Sequence, residues 1–322
     1  MNALVITKFG DPGGADWDGL RWMAVSDPHP VPGNVMVRVE AAGLNFADIL
    51  MARGGYPGTP PPPVIAGREF SGVMEETGEP VMGYTQWGAF AERFASPKNL
   101  LWPRPIRWSA EQGAAFPVNY FTAYLAFKVG GLLEPSTTRR RVLIHAVAGG
   151  VGTAAVQIGK ILNLEMYGTS SSEEKLARLR ELGLHHGINY KDHDFEQAIH
   201  ELTAGAGVDA VLDMLGGDQT CKSQRCLADY GRVVLYGTVT GQAPHFDVRA
   251  MYGRTSSAHG LWLSMLAQKP EVMGPAWKQL SQWIEECRLA PVIGSAVRIQ
   301  EAAGAFRAMV NRNSFGKIVM KL

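Results

Sequence analysis

Two adjacent glycines mark the point where an apolar run turns into a helix in LIHAVAGGVGTAAVQIGK, Leu143–Lys160. Val142, Leu143 and Ile144 have the character of a short strand, and Ala148-Gly149-Gly150-Val151-Gly152 makes the turn. From Thr153 to Leu162, Ala155, Val156, Ile158 and Ile161 recur at helical spacing. That order lets backbone N–H groups and a helix N-terminus approach a pyrophosphate with no Cβ in the way. Ala148, Gly149, Gly150 and Val151 are therefore the expected phosphate cradle of a dinucleotide. The form is AxxGGVG, not GxGxxG, so its meaning depends on the strand before it and the helix after it.

The next strand bears on which dinucleotide it is. An NAD-specific domain places a carboxylate there, about 20 residues past the glycines, to hold the ribose 2′-hydroxyl. In EMYGTSSS, Glu165–Ser172, the strand ends in small hydroxyl residues instead. Ser170, Ser171 and Lys175 offer donors and a point charge suited to a 2′-phosphate, which predicts NADPH. Arg312, in NRNSFGK, is a further candidate cation. For Lys175 a solvated helix position is the competing reading, since Glu173 and Glu174 precede it.

The scaffold must be larger than one ordinary domain, because the chain has 322 residues. Before residue 117, short strand candidates (Leu4–Thr7, Val35–Ala41, Phe70–Met74, Phe90–Phe94) alternate with Pro and Gly. Pro60-Pro61-Pro62-Pro63 is a stiff extended connection. After residue 117, strand and helix alternate, which predicts a parallel doubly wound sheet. Its strands are Val142–His145, Glu165–Thr169, Gly187–Tyr190, Val208–Asp213 and Gly231–Gly237, the last ending on a glycine expected to border the cofactor. The Arg139-Arg140-Arg141 run before the first of them reads as a solvated loop. A long amphipathic helix starts at Pro275, and a final strand, Phe315–Leu322, returns to the first domain.

Lys plus Arg number 31 and Asp plus Glu 30, so charge gives no reason to expect nucleic acid. No apolar run reaches the roughly 18 residues needed to cross a bilayer. The beginning, MNALVITKFGDPG, reads as a first strand and turn and not as a signal peptide, so a cytoplasmic location is expected. Cys221, Cys226 and Cys287 offer no disulfide framework. Val248–Leu266 carries Met251, Tyr252, Leu261, Trp262, Leu263, Met265 and Leu266, too apolar for a solvated edge. A homodimer formed through that edge of the sheet is expected.

Several motifs converge. AAGLNFADILMARGGYPG (Ala41–Gly58), GREFSG (Gly67–Gly72), PVNYFTAY (Pro117–Tyr124), HAVAGGVG (His145–Gly152), INYK (Ile188–Lys191) and FGKIVMKL (Phe315–Leu322) follow in this order. The chain resembles the medium-chain dehydrogenase/reductases, in particular the zinc-free quinone oxidoreductase branch that includes zeta-crystallin. PVNYFTAY and DMLGG also look like the vesicle amine transport protein relatives within it. The resemblance implies an α/β fold, a Rossmann domain (117–263) beside a GroES-like β-barrel catalytic domain (1–116 and 264–322), with the active site in the cleft between them. By residue match it implies Asn45, Tyr56 and Tyr120 as site residues. It also implies Thr122 on the nicotinamide side, with Tyr190 and Gly237 bordering the cofactor.

Departures from the zinc alcohol dehydrogenases are equally informative. Asn45 stands where those relatives have a cysteine ligand, and Arg68 where their GHE motif has histidine. Neither residue ligates Zn²⁺, and Arg has no lone pair to give. The segment Val73–Phe94 is short and lacks the cysteines of a structural zinc lobe. It predicts a site open to ring-sized substrates, with Trp87 at or beneath its rim. The expected reaction is hydride transfer to a quinone or α,β-unsaturated carbonyl without a Lewis acid. Two alternatives stay open: an enoyl-thioester reductase, and an NADPH-binding protein with little turnover.

Overall fold

The structure, a computed structural model, describes residues 1–322 apart from 12–13 and 15–16. Two compact units emerge: Met1–Val118 with Ala267–Pro270 and Ala290–Leu322, and Asn119–Leu266 with Glu271–Leu289.

The second unit is built on six parallel strands. In spatial order they are His186–Asn189, Glu165–Ser170, Arg141–Ile144, Val208–Asp213, Leu227–Leu235 and Ser257–Gly260. Chain order is thus 3-2-1-4-5-6, the doubly wound arrangement in which ligands bind beyond the carboxyl ends of the strands. Val142, Leu143 and Ile144 are fully buried, as a central strand covered on both faces requires. The helix Gly150–Ile161 leaves the first strand through the glycine turn. A Cβ on Gly152 would meet the Val147 backbone at 2.4–2.5 Å, so only glycine lets helix and turn pack this closely.

The first unit holds a three-stranded sheet (Leu20–Ala24, Asn2–Ile6, Val64–Ile65) and a seven-stranded one. The long strand Asn34–Leu44 is the spine of the larger sheet. Glu69–Met74 and Lys317–Lys321 flank it antiparallel, and Arg93–Pro97 pairs with its first half. An apolar core that includes Leu44, Ile49, Phe70, Phe90, Phe306 and Ile318 fills the space against these strands.

Four expectations need correction. Phe90–Phe94 is not a strand: the ladder runs over Arg93–Pro97, and Ala91 makes only an isolated bridge to Ala3. The long helix starts at Pro270, not Pro275, and carries Pro275 inside it. That helix packs with the second unit, although 264–322 was expected to belong to the first. Its Trp277 lies 6.4 Å from Phe121 and its Trp283 5.9 Å from Tyr124, so aromatic contacts hold it there. The fifth Rossmann strand ends at Leu235, which places Gly237 in the loop beyond it.

Candidate functional site

At the carboxyl ends of the Rossmann strands, the helix Gly150–Ile161 begins with Gly149 as N-cap, a residue with no side chain to cap it. The positive end of its dipole and its leading N–H groups are the part of such a helix suited to an anion. Ala148, Gly149, Gly150 and Val151 all lie in this turn, as expected. A Cβ on Gly149 would touch only the Ala146 carbonyl, at 3.3 Å, whereas one on Gly150 would press into the Asn119 side chain at 2.6–2.8 Å.

The neighbouring strand Glu165–Ser170 ends on Ser170, whose carbonyl accepts a hydrogen bond from the Tyr190 N–H at 3.1 Å. Ser172 caps the next helix by accepting from the Lys175 N–H, so the Ser170–Lys175 segment is ordered locally. Lys175 is partly buried, which lowers its ammonium pKa, and the nearby Tyr190 acts in the opposite sense. Ser170, Ser171, Lys175 and Tyr190 therefore share one end of the sheet, and no carboxylate closes the strand there. Thr122 sits buried in the helix Pro117–Val129. Arg312 belongs to the first unit, exposed on a turn that follows the helix Ala302–Val310.

In the first unit, three adjacent strands bring together a buried polar cluster. Register pairs Ile318 with Leu44 and Phe70 with Ala42, which sets Lys317 and Glu69 on either side of Gly43–Asn45. Lys317 makes an ion pair with Glu69, and both are almost fully buried. The Lys317 ammonium also donates to Asn45 Oδ1 at 2.6 Å. Asn45 Nδ2 donates to Glu69 Oε1 at 2.8 Å and to the Gly43 carbonyl at 3.3 Å. Glu69 Oε2 accepts from the Val118 N–H at the start of the helix that carries Thr122. Gly43 is needed for this approach: a Cβ would lie 2.7 Å from Lys317 Cε and 2.8 Å from Glu69 Oε1. Asp48 accepts the Asn45 backbone N–H through Oδ2, and its other oxygen is buried without a partner. Burial pushes its carboxyl up to about 7, against the pull of Arg68, the Asn45 hydrogen bond and Lys317.

Arg68 is buried beside this cluster. It donates to the Gln86 carbonyl and to the Tyr84 hydroxyl, each at 2.8 Å, and its guanidinium carbon lies 4.2 Å from the Tyr56 ring centroid. Tyr56 itself is half-buried. Gln86 and Trp87 line an open cavity of about 580 Å³ in this unit, with Pro60, Pro63, Phe94 and Leu100 among the other walls.

Two expected site residues are recast by this geometry. Both amide hydrogens of Asn45 are engaged inside the cluster, so Asn45 orders the site and does not present a donor outward. Tyr120 is buried and its hydroxyl accepts from Gln157 Nε2 at 2.9 Å, which ties its helix to Gly150–Ile161. Burial raises its pKa far above that of an ordinary phenol, so it is ill suited to proton transfer. Tyr56 remains as the more accessible of the two tyrosines. Sequence reasoning missed Glu69 and Lys317 altogether. The one hint was a lysine inside the apolar run FGKIVM.

A parallel sheet with a glycine-lined helix N-terminus, joined in one chain to a unit of mostly antiparallel strands, defines a dinucleotide-dependent dehydrogenase or reductase. The family profile "Alcohol dehydrogenase GroES-like domain" matches residues 31–89 and "Zinc-binding dehydrogenase" matches residues 150–286. The chain is 32% identical over 307 residues to quinone oxidoreductase-like protein 2 of Bos taurus, covering 92% of this chain and 87% of that protein. It is 32% identical over 344 residues to the synaptic vesicle membrane protein VAT-1 homolog of Danio rerio, covering 99% and 69% respectively. The quinone oxidoreductase of Thermus thermophilus, solved also as its complex with NADPH, superposes with a TM-score of 0.86 at 34% identity over 100% of both chains. The chain belongs to the quinone oxidoreductase branch of the medium-chain dehydrogenase/reductase family.

The zinc in the name of one profile does not suit Arg68 and Asn45. Arg68 is a permanent cation and the Asn45 amide is committed to Lys317, Glu69 and Gly43. Among the described residues no group of three or more His, Cys, Asp or Glu could hold a metal ion. Also among them, no helix is long and apolar enough to cross a membrane.

Proposed function

We propose that this protein is an NADPH-dependent oxidoreductase that delivers hydride to a quinone or an α,β-unsaturated carbonyl without zinc. The observation that carries the reading is the carboxylate-free end of Glu165–Ser170, with Lys175 and Tyr190 near each other beyond it and a glycine-capped helix after the neighbouring strand. These residues fit a 2′-phosphorylated dinucleotide. Ser170, Ser171 and Lys175 would hold the 2′-phosphate. Gly149, Gly150 and Val151 would face the pyrophosphate, with Ala148, Thr122 and Gly237 closing around it. When bound, the reduced nicotinamide supplies hydride from C4. One proton then completes a hydroquinone or a saturated ketone. Tyr56 is the hydroxyl assigned to steady the developing oxyanion and pass that proton. Arg312 stands as a further candidate cation for the phosphate, and its substitution tests that directly.

The experiment is NADPH oxidation by the purified protein with 1,4-benzoquinone, simple enones and an enoyl-CoA ester, each repeated with NADH. Turnover on quinone or enone with strong preference for NADPH supports the reading. Equal efficiency with NADH, or NADPH binding with no turnover on any acceptor, overturns it.

A further inference from the structure

The surroundings of Arg68 are elaborate for a residue that merely fills space. Its guanidinium is out of water, two of its nitrogens are fixed by the Gln86 carbonyl and Tyr84 Oη, and it lies over the ring of Tyr56. Burying a cation is costly unless hydrogen bonds and nearby charge compensate it. A neutral, smaller side chain would fill the space at lower cost if space were all that mattered. Tyr56 lies in the loop between the short helix Phe46–Ala52 and the proline run. There its carbonyl accepts from the Thr59 N–H and hydroxyl, bonds that fix the backbone and leave the ring's orientation to its side-chain contacts. The Arg68 guanidinium, its carbon 4.2 Å from the ring centroid, is among those contacts.

We propose that Arg68 is a positioning residue for Tyr56: the fixed guanidinium clamps the phenol ring and holds its hydroxyl at the acceptor oxygen of the substrate. This rests on the reading of Tyr56 as the hydroxyl that meets that oxygen. The planar fork is essential to it. An ammonium in the same place could not hold both Gln86 and Tyr84 while also covering a ring.

The test is a set of variants assayed with NADPH and 1,4-benzoquinone, with NADPH affinity measured separately by binding. Arg68→Met and Arg68→Lys are each expected to lower kcat by roughly tenfold or more, with NADPH affinity unchanged. Millimolar guanidinium should restore part of the activity of Arg68→Ala, and ammonium should not. In a Tyr56→Phe background, which keeps the ring and loses the hydroxyl, Arg68→Met should cost less than about twofold. If Arg68→Met costs as much in that background as in the unmodified protein, the clamp is refuted. If Arg68→Lys retains full kcat, it is refuted as well. If Tyr56→Phe alone leaves kcat unchanged, the reading of Tyr56 fails and the clamp fails with it. Guanidinium rescue keeps the test decisive should Arg68→Met fold poorly.

Discussion

Two residues make the electrostatics of this molecule testable in isolation. Lys175→Ala should raise KM for NADPH about tenfold, because a charge-assisted hydrogen bond to phosphate is worth roughly 1.5–3 kcal/mol. KM for NADH and turnover at saturation should barely move, and steady-state kinetics with both cofactors will check this. A variant weakened equally for both would show that Lys175 supports the fold and not the phosphate. Asp48 gives a pH signature of defined sign. Its carboxyl is raised from 3.8 to about 7 in the folded protein, so the unfolded chain ionises first as pH rises. The stability this group contributes is complete below about pH 4 and is lost progressively up to about pH 7. Asp48→Asn removes that dependence. Its stability relative to the unmodified protein should thus rise between about pH 5 and pH 8 by a few kcal/mol, on the order of 1.4 per pKa unit. Urea titrations at the two pH values measure it, and a constant difference would contradict the buried, proton-holding role. Unlike Asn45 and Arg68, Glu69 and Lys317 were not assigned to the site from the sequence. Glu69 and Lys317 meet only because three separate strands set them in register, and register is written in no single motif.

At the level of elements, the glycine turn separates what the fold needs from what the ligand needs. Gly152→Ala would drive a Cβ into the Val147 backbone, which cannot yield without moving the turn. It should lower Tm by several degrees and reduce NADPH affinity with it. Gly149→Ala meets only the Ala146 carbonyl at 3.3 Å, so Tm should hold while NADPH affinity falls, because the methyl group stands where a phosphate would approach. Thermal unfolding and NADPH titration of the two variants distinguish these outcomes. This turn could be seen in the sequence because strand, glycines and helix are contiguous and their periodicities change within a few residues. Helix Pro270–Glu285 was placed in the wrong unit because its amphipathic pattern shows that a face is buried but not against what. The Arg139-Arg140-Arg141 run was expected as a solvated loop. Instead Arg140 reaches the carbonyls of Gly131, Leu132 and Glu134, and Arg141 pairs with Glu165 across two strands.

The whole molecule has an unpartnered edge. Ser257–Gly260 ends the Rossmann sheet, and near it Tyr252, Met265 and Trp262 are 69%, 55% and 44% exposed. A homodimer paired through this strand would cover these side chains and satisfy the open backbone groups. Light scattering at micromolar concentration should give twice the chain mass, and Tyr252→Glu should shift it toward the monomer. A monomeric mass for the unmodified protein would end the proposal. The first unit carries a different consequence, one of timing. Lys317 lies 272 residues beyond Asn45 along the chain, with all of the second unit between them. A ribosome making this protein releases Asn45 and Glu69 long before their cation exists, while Asn119–Leu266 emerges as an almost unbroken sheet-forming segment. Domains fold as they are completed, so the unit made second should be the first to reach its native state. The unit begun first must keep a carboxylate and half an ion pair waiting until strand Lys317–Lys321 arrives to close it.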